Sequence, residues 1–255
     1  MIKFFRHIRK SLLMKNKTGS SAEASAKAGR YFKYAIGEII LVVIGILIAL
    51  QINTWNESRK DKLEEGSIIQ NLHDEFSENK KLLKVTRFET IGAKEAGFLI
   101  MDLFDKSEII IRQRNVDSLL FMMLEAGEFR PSENTINDLI QSGRLKLLQN
   151  KNLKVLLYQW QTELKSLDVS FKRVELKIDD GLIPYISKNY ALKDIDQYGS
   201  LNWKESSSLA IDKYKIFNDI EFENITDDYL YRVNSALGRV NEIEKLIDSI
   251  LKETE

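Results

Sequence analysis

Residues Ile39 to Leu50 read IILVVIGILIAL, twelve apolar side chains in a row. Extended through Ala35, Ile36, Gly37 and Glu38 on one side, and Gln51 and Ile52 on the other, the stretch reaches 18 residues with a single charge, Glu38. Twelve residues would suit a buried helix or the core of a leader peptide. Eighteen, rising about 1.5 Å each, are enough to cross the hydrocarbon of a bilayer. Tyr34 and Trp55 bracket the stretch 21 residues apart, a rise of about 31 Å. Those are the places where interfacial aromatic anchors sit. The central helix of a soluble bundle would need no apolar residues on its outer face. A transmembrane helix over residues 34–56 is therefore expected.

Charge sets its orientation. The chain has 38 basic and 38 acidic residues and no net charge, but they are unevenly placed. Residues 1–34 carry nine Lys/Arg against Glu23 alone, a balance of +8, whereas residues 57–255 balance at −7. Lys and Arg flanking a span stay in the cytoplasm. The reading is a cytoplasmic tail over 1–33 and an exported domain over 57–255. A cleaved signal peptide competes, but its positive region would be over 30 residues long, with no convincing small-x-small site after the apolar run. A mitochondrial presequence is a further rival, because the tail is basic, nearly free of acids and partly Ser/Ala-rich. An uncleaved signal anchor fits better.

Within the tail, MIKFFRHIRKSLL places Phe4, Phe5, Ile8 and Leu12 on one helical face, with Lys3, Arg6, Arg9 and Lys10 around the rest. This suits either a short basic helix lying on an anionic leaflet or a disordered topogenic tail. TGSSAEASAKAG, residues 18–29, reads as a flexible linker.

The region beyond the span reads as all-α. Two prolines in 255 residues, with abundant Leu, Ile, Lys and Glu, favour long helices. Ile69, Leu72, Phe76 and Leu83 continue a helical stripe past the membrane. Ala96, Leu99, Ile100 and Leu103 suggest a second helix. Val116, Leu119, Leu120, Met123 and Leu124 suggest a third, stopped by Gly127. Pro131-Ser132 would open the next, with Ser132 as N-cap and Gly143 closing it. Leu153, Leu156, Trp160, Leu164, Leu167, Phe171, Val174 and Ile178 form a heptad-like seam ending near Gly181. Thr226, followed by Asp227 and Asp228, would cap a last helix striped by Leu230, Val233, Leu237, Val240, Ile243, Ile247 and Ile250. Residues 190–224 lack periodicity and suggest loops with short helices. The expected architecture is one N-terminal transmembrane helix followed by an up-and-down helical bundle.

The run Tyr34-Ala35-Ile36-Gly37-Glu38 through Ala49-Leu50-Gln51-Ile52-Asn53, ending Trp55-Asn56-Glu57, closely resembles the opening of an uncharacterised family of Gram-negative bacterial membrane proteins. Ser142-Gly143-Arg144-Leu145-Lys146-Leu147-Leu148, with Asn150 and Leu153, resembles the same family. The resemblance implies an inner-membrane location with a periplasmic domain, and supplies no activity. The 18–29 stretch is longer than the family's pattern.

Chemical signatures are sparse. No cysteine is present, which removes disulfides, thiol catalysis and zinc–thiolate sites. His73 with Asp74, Glu75 and Glu78 could be drawn as a metal cluster, but Glu-x-x-His is absent and a solvated helix face accounts for them. Asp179-Asp180 and Asp227-Asp228 read as helix-end residues, and Ser206-Ser207-Ser208 as a polar turn. No nucleophile elbow or phosphate loop occurs, so no cofactor, metal or catalysis is expected. The acidic balance beyond the span argues against nucleic acid. Trp160, Trp203, Tyr185, Tyr190, Tyr198, Tyr229 and Tyr231 could line a ligand cavity, although Trp160 falls on the heptad seam and reads as core.

One membrane feature is sharper. Glu38, Gly45, Ala49 and Ile52 share a helical face, and Gly45-x-x-x-Ala49 lets helices approach closely. The face suggests a homodimer or contact with another membrane protein; a lipid-facing glycine with a snorkelling acid is the alternative. The functional expectation is a membrane-anchored helical interaction or scaffold module of the cell envelope without enzymatic activity. The second reading is a ligand-sensing periplasmic bundle that signals through a partner, its ligand unknown.

Overall fold

The structure, a computed structural model, describes residues 21–209 and 211–255; the side chains described begin at Tyr31 and omit Lys33. The basic amphipathic segment predicted around Phe4, Phe5, Ile8 and Leu12 lies outside the described residues. The described chain is helical with no strands, as composition and periodicity predict. It divides into two units, the first ending at Leu63 and the second spanning Glu64–Glu255.

A single helix, α1, runs Ser21–Met101 and contributes to both units. It begins inside the stretch read as a flexible linker. Ala22, Ala24, Ala26 and Ala28 are strong helix formers, and their propensity outweighs the small polar residues between them. In the first unit its described apolar side chains are all exposed. The most apolar 18-residue window has mean hydropathy 2.6 and none of it is buried. Among the described residues this is the one helix long and apolar enough to cross a membrane.

In the second unit, α1 buries a stripe at steps of three and four: Ile68, Leu72, Phe76, Asn79, Leu83, Thr86, Thr90 and Ala93. Helix geometry puts such positions on one face. The predicted second helix is the end of α1, since Ala96 and Ile100 prolong the same stripe. The chain turns at Asp105, in the left-handed region at φ 57°. Short helices α2 (Glu108–Ile111) and α3 (Val116–Leu124) follow, the latter capped by Asn115, whose side chain accepts from the Ser118 N–H.

The return toward the Glu64 end is not a continuous helix. Residues 125–133 are irregular, and α4 spans Asn134–Gln141. Ser132 is not its N-cap; Glu133 occupies that place without a side-chain cap bond. The Ser132 N–H is instead taken by Asn79 of α1. Gly143 closes α4 as expected, with φ 69°, a conformation that costs glycine little. Gly127 does not stop α3, which ends at Leu124 with Glu125 as its C-cap; the glycine answers to a different need, since a Cβ there would lie 2.6 Å from the Thr86 carbonyl oxygen. Close approach of two backbones requires glycine here.

Helix α5 (Lys151–Lys177) starts where Asn150 Oδ1 accepts from the Leu153 N–H at 3.1 Å. Its seam buries Leu153, Leu157, Trp160, Leu167 and Val174, with Leu157 rather than Leu156 innermost. The helix does not stop near Gly181. A π turn, Ile178–Leu182, carries it into α6, Ile183–Asn189. Pro184 gives the physical reason: its ring would strike the carbonyl four residues earlier in a regular helix, and it lacks an N–H. The wider turn lets the Ile183 N–H reach the Ile178 carbonyl instead. Asp179 and Asp180 therefore sit within a continuing helical path, not at a helix end.

After α7 (Leu192–Ile195) and a short 3-10 turn, Lys215–Asn218, α8 runs Ile220–Glu253. Asp219, not Thr226, caps it, accepting from the Glu221 N–H at 2.9 Å. Thr226 is fully buried in the second turn. Every position of the predicted α8 stripe, Leu230 through Ile250, is buried. Two clusters make the core. One gathers Leu72, Phe76, Trp160, Leu153, Ile243 and Ile247; the other gathers Ile100, Leu120, Tyr185, Phe217, Phe222 and Val233. Phe171 packs against both.

Candidate functional site

The predicted membrane-contact face sits wholly on α1. Glu38, Gly45, Ala49 and Ile52 are exposed on an uninterrupted helix, and a Cβ added to Gly45 would meet nothing within 4 Å. Tyr34 and Trp55, the two interfacial anchors, are also exposed. From Asn53 onward the helix turns polar, and Asn53 Nδ2 donates to Glu57 Oε1 at 2.9 Å.

In the second unit, polar side chains of α1 hold the irregular return segment. Thr86 Oγ1 donates to the Glu128 carbonyl at 2.8 Å. Asn79 both donates to and accepts from the Ser132 backbone at 2.8 Å. Glu75 Oε2 accepts from the Thr135 N–H at 2.7 Å, and Glu65 from the Gln149 N–H. Arg144 pairs with Glu64 at 3.1 Å and with Asp138. As the chain advances from 128 to 144, its partners on α1 recede from 86 to 64. Over residues 125–133, which lie in no helix, side chains of α1 satisfy backbone groups of Glu128 and Ser132. The signal was present in the sequence: Asn79 and Thr86 are polar residues at core positions of an apolar stripe.

The acids near His73 are consequently not one solvated face. His73 Nδ1 lies 3.1 Å from Thr254 Oγ1, and Glu75 caps a neighbouring segment, while Asp74 and Glu78 are exposed. No group of three His, Cys, Asp or Glu with metal-binding spacing occurs among the described residues.

A cluster of paired charges joins α3 to the aperiodic stretch after residue 190. Lys213 Nζ sits 2.8 Å from Asp117 Oδ2 and 2.7 Å from Asp194 Oδ2. Asp117 also accepts from the Tyr190 hydroxyl at 2.5 Å, and Asp194 from the Ser207 N–H at 2.6 Å. Burial alone would raise the Asp194 pKa; the Lys213 hydrogen bond and the Ser207 N–H outweigh it and bring the carboxyl below its ordinary value. Burial likewise opposes the charge on Lys213, but its two carboxylate partners raise its pKa. The Tyr190 hydroxyl is pushed upward by burial and by Asp117. Asp194 and Lys213 are both shifted toward keeping their charges and Tyr190 toward staying neutral, so none of these three is poised as a base or nucleophile. The network fastens residues 190–214 to α3.

The aromatic residues do not assemble into one pocket. Trp160 is core, edge-on to Phe76 at 4.8 Å between centroids. Tyr185 donates to Asp219 at 2.7 Å and stacks on Phe222, and Tyr229 donates to the Met123 carbonyl. Trp203, Tyr198 and Tyr231 are exposed. An open groove of about 550 Å³ lies elsewhere, beside Phe129, Pro131, Glu133, Gln161, Leu164 and Lys165.

Residues 38–116 match a family of unknown function, DUF6090. The DUF6090 match takes in α1 from Glu38 onward, with the apolar run Ile39 to Leu50, and the chain to the first residue of α3, and it assigns no activity. An uncharacterised family is what the residues around the span resemble. The second resembling stretch, Ser142 to Leu153, lies beyond the DUF6090 match. No curated protein and no solved structure shows significant similarity to the chain.

Proposed function

We propose that this protein is a membrane-anchored helical interaction or scaffold module of the cell envelope, with no enzymatic activity of its own. The observation that carries the reading is the apolar window of α1, of which nothing is buried. Apolar surface on that scale needs a non-aqueous environment. The charge step across it, +8 before and −7 after, supports a cytoplasmic N-terminus with the domain beyond residue 57 in the periplasm. The host would be a Gram-negative bacterium and the membrane its inner one. The Glu38, Gly45, Ala49 and Ile52 face would meet a second copy or another membrane protein. The saturated Asp117–Lys213–Asp194 cluster supports a structural role over a catalytic one.

The test is fractionation with topology mapping. The chain should stay in the membrane pellet through alkaline carbonate extraction, and protease added to spheroplasts should digest residues beyond 57. Release by carbonate, or full protection from protease, defeats the reading. Crosslinking and pull-down from the same membranes would identify a partner. A sensor reading is favoured by the groove beside Phe129, and a thermal shift with small molecules discriminates it.

A further inference from the structure

Helix α1 has a second stripe, opposite its buried one. Val85 and Phe88 are 56% and 80% exposed, Leu82 is 46% exposed beside them, and Gly92 follows Phe88 by four residues. Phe88 is a large aromatic ring in open water on a regular helix, and no core contact explains it. Gly92 is equally unexplained within the chain, since a Cβ there would meet nothing within 4 Å. Glycine in a helix interior is unfavourable unless something approaches closely. Val85, Phe88 and Gly92 step by three and then four, the spacing of a coiled-coil seam.

The flanking charges select the occupant. With Val85 and Gly92 at a and Phe88 at d, Lys84 falls at g and Glu89 at e. Both are exposed. Their neighbours are engaged, Lys81 with Glu78 and Arg87 with Glu244, while Lys84 and Glu89 have no ion-pair partner among the described residues. In a parallel pair of identical helices, g faces the e′ position five residues on, so Lys84 of each copy meets Glu89 of the other. An antiparallel pair would set like charges together. We infer that the Leu82–Gly92 face of α1 docks against the same face of a second, parallel copy of this chain. Phe88 would pack on its counterpart, and the space over Gly92 would admit the two rings. Lys81 and Glu95, at seam positions on either side, would confront themselves and so bound the contact to about two heptads. A patch this short needs help from a tether. Two copies anchored in one bilayer have it, through raised effective concentration, and in that respect the inference rests on the anchored-module reading.

The absence of cysteine makes the test direct. Single-cysteine variants of the full chain, Val85→Cys, Phe88→Cys, Gly45→Cys and Val169→Cys, are oxidised in native membranes and resolved without reductant. Val169 is an exposed position on α5. Disulfide-linked dimer at Val85→Cys and Phe88→Cys should exceed that at Val169→Cys several-fold. Lys84→Glu in the Phe88→Cys background should lower the yield several-fold, and adding Glu89→Lys should restore it. Yields no higher than at Val169→Cys, or no recovery in the double exchange, overturn the inference. If Gly45→Cys links while Phe88→Cys does not, this contact is excluded and the membrane-helix contact stands. Carbonate release of the chain would instead remove the tether itself.

Discussion

Asn79 and Ser132 exchange two hydrogen bonds of 2.8 Å, the amide nitrogen donating to the Ser132 carbonyl and the Ser132 N–H donating to the amide oxygen. Asn79 is fully buried. Its side chain gives residue 132 the pairing that a neighbouring strand would otherwise supply. Asn79→Ala leaves a donor and an acceptor of the Ser132 backbone unmet. It should cost about 2–4 kcal/mol, read as a lower denaturation midpoint in detergent. Asn79→Asp keeps the acceptor and loses the donor, and should also destabilise. A midpoint unchanged in both variants would show that the pair contributes nothing.

Gly127 and Gly238 should respond in opposite senses to alanine. At Gly127 a Cβ would stand 2.6 Å from the Thr86 carbonyl oxygen, and the crowded backbone cannot easily yield; Gly127→Ala should cost about 1–3 kcal/mol. At Gly238, inside α8, a Cβ meets nothing within 4 Å, and Gly238→Ala should stabilise by about 0.5–1 kcal/mol. Paired thermal melts check the signs.

The Asp194–Lys213 pair makes stability depend on acid. Because the Asp194 pKa is lowered on folding, its contribution is complete above the unfolded value near 3.9 and is lost as pH falls through the lower, folded value. Asp228, also lowered, faces burial but is held by Lys177 and Arg232, and acts in the same direction. Unfolding free energy should therefore drop below about pH 4, and Asp194→Asn should flatten part of that slope. An identical slope in the variant contradicts the assignment.

Removing the cation should be worse than removing the acid. Lys213→Met leaves Asp194, with 3% of its side chain exposed, charged and without its main partner. A loss of about 3 kcal/mol is expected. The double change Lys213→Met with Asp194→Leu should recover part of it, which a double-mutant cycle measures.

The long helices were legible because each repeats apolar residues at a helical period over many turns: the α8 stripe from Leu230 to Ile250 and the seam from Leu153 to Val174. The apolar run from Ile39 was legible because its hydrophobicity has no polar face at all. What failed were the ends. Ser132, Thr226 and Gly181 carry local signals for caps and stops. Tertiary partners overrode them: Asn79 claims the Ser132 N–H, Asp219 starts α8 nearly two turns before Thr226, and a π turn carries the chain through Gly181. The Asp117–Lys213–Asp194 cluster was illegible for a different reason. Its members are 77 and 19 residues apart in sequence, with no period connecting them, and only the folded chain brings them within 3 Å.

The wide turn at Ile178–Leu182 amounts to one surplus residue lodged in a helix. Everything after it is turned by about 100° relative to an unbroken spiral. Tyr185 and Ile186 reach the core by virtue of that offset. Were the turn to tighten into a regular helix at the same residue count, their side chains would swing aside and Tyr185 would be pulled from Asp219. The phase of the helix, more than the identity of the residues around the turn, decides what faces the core there.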